Sequence, residues 1–314
     1  MQETINATQS LVTLDVALPG IIWGGIITIN MWAKSIGTGV IIVGAYLLFR
    51  HKKEQMPNYR WLIPLIAFIA LNVFLLFTLI DLHQPYRMIN IFLHPHFTSA
   101  ITVGAWIASL FTLLVSVMLI IGLASGFPDV LRHNGVAKKL RGSESLYDKL
   151  SPIVLFLAFP VTLYTAIIMA ESSARELWQA PTELTQMFLA ALIAGAATLL
   201  LFSTKWSDAV KKDITLVLIF AVTFSFLIYM GEYFFSFKSS EAEATLAYIH
   251  LGGAYSIQFW VAMILGYILP FFLGILSVKE NTKSVAKVAA ISALIGLYLA
   301  KDVWLKIPQL LPLS

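Results

Sequence analysis

The sequence predicts an all-α integral membrane protein with eight transmembrane helices. Of its 314 residues, 59% are hydrophobic and only 12% are charged, about half the charged fraction of an ordinary soluble domain. Apolar runs of about twenty residues, the length that crosses the hydrocarbon core of a bilayer, recur along nearly the whole chain. Together these observations argue against a soluble α-helical protein.

The predicted spans follow from the apolar runs and the polar loops between them. They cover 27–49, 61–81, 98–125, 151–171, 184–203, 213–237, 255–277 and 285–304. The apolar stretch 14–25 is broken by Pro19 and several glycines, and we expect it to lie along the membrane interface. Pro64, Pro160 and Pro270 fall inside spans, where kinks are expected. Two four-helix halves fit this pattern, although the residues show no clear repeat.

The orientation is predicted from the lysines and arginines of the loops. Fifteen lie in loops 1–2, 3–4, 5–6 and 7–8, whereas the other three loops carry one each, Arg87, Arg175 and Lys238. The first set is therefore expected to face the cytoplasm. Both termini are then periplasmic, in a multi-pass protein of the cytoplasmic membrane.

The residue types also limit the cofactors of this chain. It has no cysteine, which excludes disulfides, thiolate-bound iron–sulfur clusters and covalently attached c-type haem. All six histidines fall in loops or at span ends, so bis-histidine haem is not expected. No basic residue precedes the first apolar stretch, so no signal peptide is predicted. The net charge of +4 does not indicate a nucleic-acid partner, because the basic residues lie in short loops.

The stretch 81–106 joins two strongly apolar spans and is far more polar than either. Its ionisable residues are Asp81, His83, Arg87, His94 and His96. Charge beside a bilayer is costly, so a cluster of this kind suggests a function. The histidines could bind a metal at the surface, but their spacing is a weak signal, and solvated loop histidines are the more favoured interpretation.

Span 1 carries polar residues on one helix face. Asn30, Lys34 and Thr38 are four residues apart and therefore share that face. Lys34 is expected about 10 Å below the outer end of the helix, at 1.5 Å per residue. A lysine at that depth indicates a functional site, and the alternative is a side chain that snorkels to the surface.

Spans 4 and 6 place further polar residues near the same membrane face. Tyr164 and Glu171 lie on one stripe of span 4, with Glu171 at the outer boundary and Tyr164 about 10 Å below it. Tyr164 could instead be a belt aromatic, and Glu232 of span 6 an interfacial acid. Because Lys34, Asp81, Glu171 and Glu232 come from four spans and all fall in the outer half, we expect a polar cavity that opens outward.

Four sequence blocks resemble the NrfD/PsrC family, the membrane subunits of polysulfide reductase and related respiratory complexes. The glycine-rich KSIGTGVIIVGA of span 1 is similar to the first helix of that family. The other matching residues are Asp81, Leu82, Pro85, Arg87, Pro95, Ser99, Gly104 and Trp106, then Tyr164, Thr165, Leu177, Trp178 and Pro181, then Phe259, Trp260, Gly266 and Pro270. The resemblance covers most of the chain, and the spacing across the blocks is more specific than any single block.

The resemblance implies a fold and a site. The fold is two four-helix bundles, here an outer N-terminal segment at 1–26, a first bundle with a quinone site at 27–171 and a second bundle at 172–314. Quinone or quinol, menaquinone in particular, would be held by Asn30 and Tyr164. Some members carry a histidine near position 30 that this chain lacks, and Lys34 could replace its hydrogen bond. Oxidation of a quinol releases two protons, which Asp81 and Glu171 could accept.

The resemblance also implies partners. A four-cluster ferredoxin-like iron–sulfur subunit would dock outside, near Arg87 and Trp178, and a molybdopterin catalytic subunit would bind to it. This chain would then oxidise quinol within an oxidoreductase complex, with all metal centres in its partners. The alternatives are a secondary transporter or proton-conducting subunit, for which charges at the bilayer midplane are expected, and a purely structural anchor.

Overall fold

The structure, a computed structural model, describes residues 20–82, 84–127, 135–140, 142–172, 175–234 and 239–311. Within these residues, eight helices are long and apolar enough to cross a membrane. They are α1 (Gly25–Arg50), α2 (Tyr59–Asp81), α3 (Ala100–Gly126), α4 (Glu144–Ala170), α5 (Ala180–Phe202), α6 (Asp208–Phe234), α7 (Ser256–Glu280) and α8 (Lys283–Lys306). Each coincides with a predicted span, which confirms the eight-span, all-α prediction.

The largest boundary difference is at the start of α4, which begins at Glu144 rather than near residue 151. The first two turns of this helix are polar, so an apolar run does not reveal them. They are fixed by contacts with the start of α2. Glu144 pairs with Arg60 at 2.5 Å, and the Tyr147 ring packs edge-on against Tyr59 at 6.2 Å between centroids.

The helices contact one another mainly in chain order. Within α1–α4 each helix packs on the next and α4 returns to α1, and α5–α8 repeat this pattern. However, α1 packs on α5 nearly as extensively as on α2, and one apolar core contains residues of all eight helices. The division into two bundles at 27–171 and 172–314 therefore stays a prediction.

Glycines allow the closest approach between α1 and α5. A Cβ atom at Gly39 would lie 1.9 Å from the carbonyl oxygen of Ala191, and one at Gly195 would lie 2.2 Å from the carbonyl carbon of Gly39. In a bilayer, helices associate through such close packing rather than through the hydrophobic effect. This contact fixes the position of α1, the helix that carries Asn30 and Lys34.

Proline effects differ between the helices. In α7 a π-helical turn at Ile264–Ile268 directly precedes Pro270. Proline has no N–H and its ring crowds the carbonyl four residues earlier, and the wider π turn relieves that crowding. By contrast, α2 and α4 continue as unbroken helices through Pro64 and Pro160.

The segment before α1 is attached to the other end of the chain. The backbone N–H groups of Ile22 and Trp23 donate to Oε1 of Gln309 at 3.0 and 2.9 Å, and Gln309 Nε2 donates to the Trp23 carbonyl at 3.0 Å. Residues 14–19 of the predicted interfacial stretch 14–25 lie outside the described residues. The described part therefore lies against the end of α8.

Candidate functional site

Polar side chains of several helices meet at one end of the bundle. Asn30 in the first half of α1 bonds to Thr78 near the end of α2, and Lys34 bonds to Thr165 near the end of α4. At the same end, Thr28 bonds to Asp302 near the end of α8. These contacts bring the half of α1 that carries Asn30 and Lys34 together with the ends of α2, α4 and α8.

Lys34 is fully buried, with 1% of its surface exposed. Its Nζ donates a hydrogen bond to the Thr165 hydroxyl and lies 4.7 Å from the centroid of the Tyr164 ring. At this distance the face of an aromatic ring stabilises an ammonium group. The side chain points into the protein, so the snorkelling interpretation of Lys34 is wrong.

Tyr164 is positioned by a glycine as well as by the lysine. A Cβ atom at Gly104 in α3 would lie 2.3 Å from Cδ2 of the Tyr164 ring, so only glycine leaves room for the ring there. The ring is thus enclosed between α3 on one side and Lys34 of α1 on the other. The structure brings Lys34 and Tyr164 together, and their role toward a quinone stays a prediction.

Asn30 is also buried, but its amide group is already engaged. Nδ2 donates to the Phe74 carbonyl at 2.8 Å and to the Thr78 hydroxyl at 2.6 Å. The Oδ1 atom accepts no hydrogen bond within the described part of the chain. In this arrangement Asn30 offers a ligand an acceptor and not a donor, which suits the hydroxyl of a quinol.

The two carboxylates predicted to handle protons lie outside this buried group. Asp81 is the partly exposed last residue of α2, one turn beyond Thr78, and Glu171 is exposed directly after α4. Within the described residues the structure shows no side-chain bond from either to Lys34 or Tyr164. Glu232, the fourth predicted acid, is partly buried and accepts from the Thr182 hydroxyl at 3.4 Å.

Two further buried ionisable residues, Glu183 and Lys301, lie at the same end of the bundle as Lys34 and were not predicted from the sequence. Glu183 of α5 is 2% exposed and accepts a hydrogen bond from Trp304 Nε1 at 2.9 Å. Lys301 of α8 is also buried, and its Nζ donates to Met187 Sδ at 3.5 Å. Glu183 and Lys301 line one small cavity together with Met31 of α1. Glu183, Lys301 and Lys34 are therefore three buried ionisable residues on α5, α8 and α1 at this end of the bundle.

Asp302 is a further buried acid that sequence analysis did not identify. It accepts hydrogen bonds from Thr28 at 3.0 Å, Gln258 at 2.9 Å and Lys306 at 2.6 Å. This set of partners satisfies its charge and ties α8 to α1 and α7. An adjacent lysine and aspartate inside predicted span 8 were the available signal, since charged residues in a span are rarely incidental. Glu183 stood one residue before the predicted start of span 5.

A cavity of about 20 Å³ adjoins Glu183, Lys301 and Gln186, which is enough space for one water molecule. Its apolar wall includes Met31, Met169 and Met187. Unbranched methionine side chains adapt their shape readily. Met31, Met169 and Met187 also belong to an apolar cluster between α1, α4, α5 and α8, so a compact apolar layer borders the buried charges.

The connection between α2 and α3 forms an exposed surface at this end of the bundle. Tyr86 is 93% exposed and Phe97 is 67% exposed, and Arg87 is exposed beside them. Trp178 is different. It is 4% exposed, stacks on Trp23 at 5.6 Å and belongs to the core, so the expectation that it contacts a partner subunit is wrong.

The histidines of the same connection do not form a metal centre in the described structure. His94 and His96 are exposed, and His83 lies outside the described residues. No group of three or more histidine, cysteine, aspartate or glutamate side chains that could hold a metal ion is found in the part of the chain that the structure describes.

The fold and the site define a multi-pass α-helical membrane protein with a buried polar cluster at one end of its bundle. The family model described as "Polysulphide reductase, NrfD" matches residues 16–308. The chain therefore belongs to the NrfD family, which confirms the resemblance found in the sequence. A search of curated proteins returned no match.

Proposed function

We propose that this chain is the quinol-oxidising membrane subunit of a respiratory molybdopterin oxidoreductase complex of the polysulfide reductase type. Membership of the NrfD family supports this function. The observation that carries it is the buried Lys34 side chain over the Tyr164 ring, with Asn30 one turn away on the same face of α1. Asn30, Lys34 and Tyr164 thus supply three different hydrogen-bonding groups at one end of the bundle, and a polar head group needs such partners.

The residues suit a quinol in particular. Its oxidation to a quinone removes two electrons and two protons, and its oxygens change from donors to acceptors. Asn30 Oδ1 accepts from a quinol hydroxyl, whereas the Lys34 amino group and the Tyr164 hydroxyl can donate to the quinone oxygen that forms. Asn30 stands on α1 and Tyr164 on α4, so each can serve one oxygen of the ring.

The protons leave toward the near surface of the membrane. Asp81 lies one turn beyond Thr78, the hydroxyl that contacts Asn30. Glu171 lies seven residues beyond Tyr164 and is exposed. Carboxylates at these positions accept protons from the site and release them to water. The electrons pass to a four-cluster ferredoxin-like iron–sulfur subunit on the periplasmic side.

The partner subunit is proposed to dock on the connection between α2 and α3. Arg87 and Tyr86 are exposed there, directly above the ends of the helices that hold the site. Aromatic residues and arginine are enriched in protein–protein interfaces. This arrangement gives a short distance for electron transfer from the site to an iron–sulfur cluster of the partner. The molybdopterin subunit then binds to the iron–sulfur subunit.

The distribution of buried charge disfavours a transporter or proton-conducting subunit. The buried charged residues of the described structure are Lys34, Glu183, Lys301 and Asp302. All four lie at the same end of the bundle. A path for charge across the membrane requires ionisable groups at successive depths, and among the described residues the opposite half of the core has no buried charged residue.

The test is quinol oxidation by the intact complex that carries Tyr164→Phe or Lys34→Met. A buried hydrogen bond contributes about 1–3 kcal/mol, so each variant should oxidise quinol about tenfold or more slowly. Reduction of the catalytic subunit by a soluble electron donor should not change. Tyr147→Phe is the control, because this tyrosine is also buried in α4 but lies at the opposite end of the helix. Wild-type rates in both site variants, over a range of quinol concentrations, would contradict the proposal.

A further inference from the structure

A second cavity lies at the opposite end of the bundle from the quinol site. It has a volume of about 450 Å³ and lies between the end of α5, the start of α6, the end of α7 and the start of α8. Its polar lining includes Thr204, Asp208, Lys211, Lys212, Lys283 and Lys287. This end carries most of the basic loop residues and is therefore the predicted cytoplasmic end.

Positive charge is in excess in this cavity. Four lysines line it, against the single carboxylate of Asp208. Asp208 already pairs with Lys283 at 2.9 Å and with Lys211 at 3.7 Å. Lys212 and Lys287 are exposed and have no acidic partner among the described residues. The lining thus presents two lysines that are not neutralised, as an anion-binding site requires.

The backbone adds to this positive potential. Helices α6 and α8 both begin at the cavity, at Asp208 and Lys283, and the first turns of long helices attract anions. The side chain of Thr282 does not cap α8. Asn281 adopts a left-handed conformation with φ of 52°, so the chain reverses within two residues and holds Lys283 at the rim.

Apolar side chains also line the cavity. Leu200, Val278 and Ala286 are among them, beside the lysines. A site for a small inorganic anion has no need of an apolar lining. A phospholipid, in contrast, carries a phosphate next to apolar chains. The cavity therefore combines the two kinds of surface that a membrane lipid contacts.

We propose that this cavity binds the phosphate of an anionic phospholipid from the predicted cytoplasmic leaflet. Lys212 and Lys287 contact the phosphate, with the first turns of α6 and α8 facing it. Leu200, Val278 and Ala286 contact the glycerol and the first carbons of the acyl chains. Basic pockets between helices at that membrane face are suited to anionic head groups. The proposal is independent of the quinol site.

The test uses the full chain in detergent, titrated with phosphatidylglycerol, phosphatidylcholine or inorganic phosphate. Bound lipid is counted by native mass spectrometry, and thermal unfolding is followed in parallel. Phosphatidylglycerol should bind and stabilise the wild type more than either other probe, and added salt should weaken it. K212Q/K287Q should bind it about tenfold or more weakly. The matched control is K138Q/K139Q, which removes the same charge from exposed residues of another loop.

The results of this experiment decide whether the cavity binds the lipid. Because Lys212 and Lys287 make no ion pair with any residue that the structure describes, their substitution should leave the fold intact, and unchanged thermal unfolding without lipid verifies this. Equal binding of phosphatidylglycerol by the site variant and the control variant would overturn the site. Equal stabilisation by inorganic phosphate and phosphatidylglycerol would overturn the lipid as its ligand. The salt dependence of wild-type binding is a test that needs no variant.

Discussion

The amino group of Lys34 lies 4.7 Å from the ring centroid of Tyr164 and donates to the neighbouring Thr165 hydroxyl. The lysine is on α1 and the tyrosine on α4, and 131 residues separate Lys34 from Thr165. A single buried amino group thus holds two consecutive residues of another helix. This link fixes the relative position of α1 and α4 at the depth where the quinol head group is proposed to bind.

Gly104→Ala should impair the site by displacing the Tyr164 ring from the side of α3. The added Cβ would lie 2.3 Å from the Tyr164 ring, closer than any real contact, so the ring must move relative to Lys34. We expect the rate of quinol oxidation to fall about tenfold, as for the loss of one buried hydrogen bond. Assembly of the complex, measured by co-purification of its subunits, is the control. A wild-type rate would show that the position of the Tyr164 ring does not matter for turnover.

Gly39→Ala should destabilise the whole bundle. Its Cβ would collide with the Ala191 carbonyl oxygen at 1.9 Å, and a backbone atom cannot give way as a flexible side chain can. Overpacking of this kind costs about 1–3 kcal/mol, so the apparent Tm should fall by several degrees. Gly231→Ala is the matched control, because nothing lies within 4 Å of its added Cβ and alanine favours helix. A Tm of Gly39→Ala at or above that of the control would contradict this packing argument.

The fold was more predictable from the sequence than the site. Apolar length determines a span in a bilayer, so the eight helices were found, whereas the polar first turns of α4 were not. Helical spacing and depth were enough to pair Lys34 with Tyr164. Those rules give no information on which faces of α5 and α8 turn inward, so Glu183 and Lys301 were missed.

The contacts of individual side chains were least predictable. Trp178 was expected at the surface because it lies in a loop, but it stacks on Trp23 within the core. Asn30 was expected to hold a quinone, and the structure shows that its amide nitrogen already bonds to α2. In both residues the decisive partner is distant in the sequence, and no local pattern indicates it.

The buried Glu183 and Lys301 should depend on each other for stability. E183Q keeps an acceptor for Trp304 but leaves Lys301 beside Lys34 without its opposite charge, and K301M leaves Glu183 uncompensated. Glu183 and Lys301 line one cavity without an ion pair between them, and loss of one buried polar partner costs about 1–3 kcal/mol, so each single variant should lower the Tm. The double variant E183Q/K301M should be more stable than either single variant, and K205M, an exposed lysine, is the control. Additive losses in thermal unfolding would show that the two charges do not interact.

The orientation of the bundle can be tested by labelling, because the chain contains no cysteine. Tyr86→Cys lies in the exposed connection between α2 and α3, and Lys139→Cys lies at an exposed position of the helix Gly135–Leu140 between α3 and α4. The bias of fifteen basic residues against three predicts that a membrane-impermeant maleimide, added outside intact cells, labels residue 86. Residue 139 should react only after the membrane is permeabilised, and that second reaction verifies that its thiol is accessible. Labelling of residue 139 from outside, with none at residue 86, would invert the bundle. The quinol site would then lie at the cytoplasmic face, and a periplasmic iron–sulfur partner could no longer dock above it.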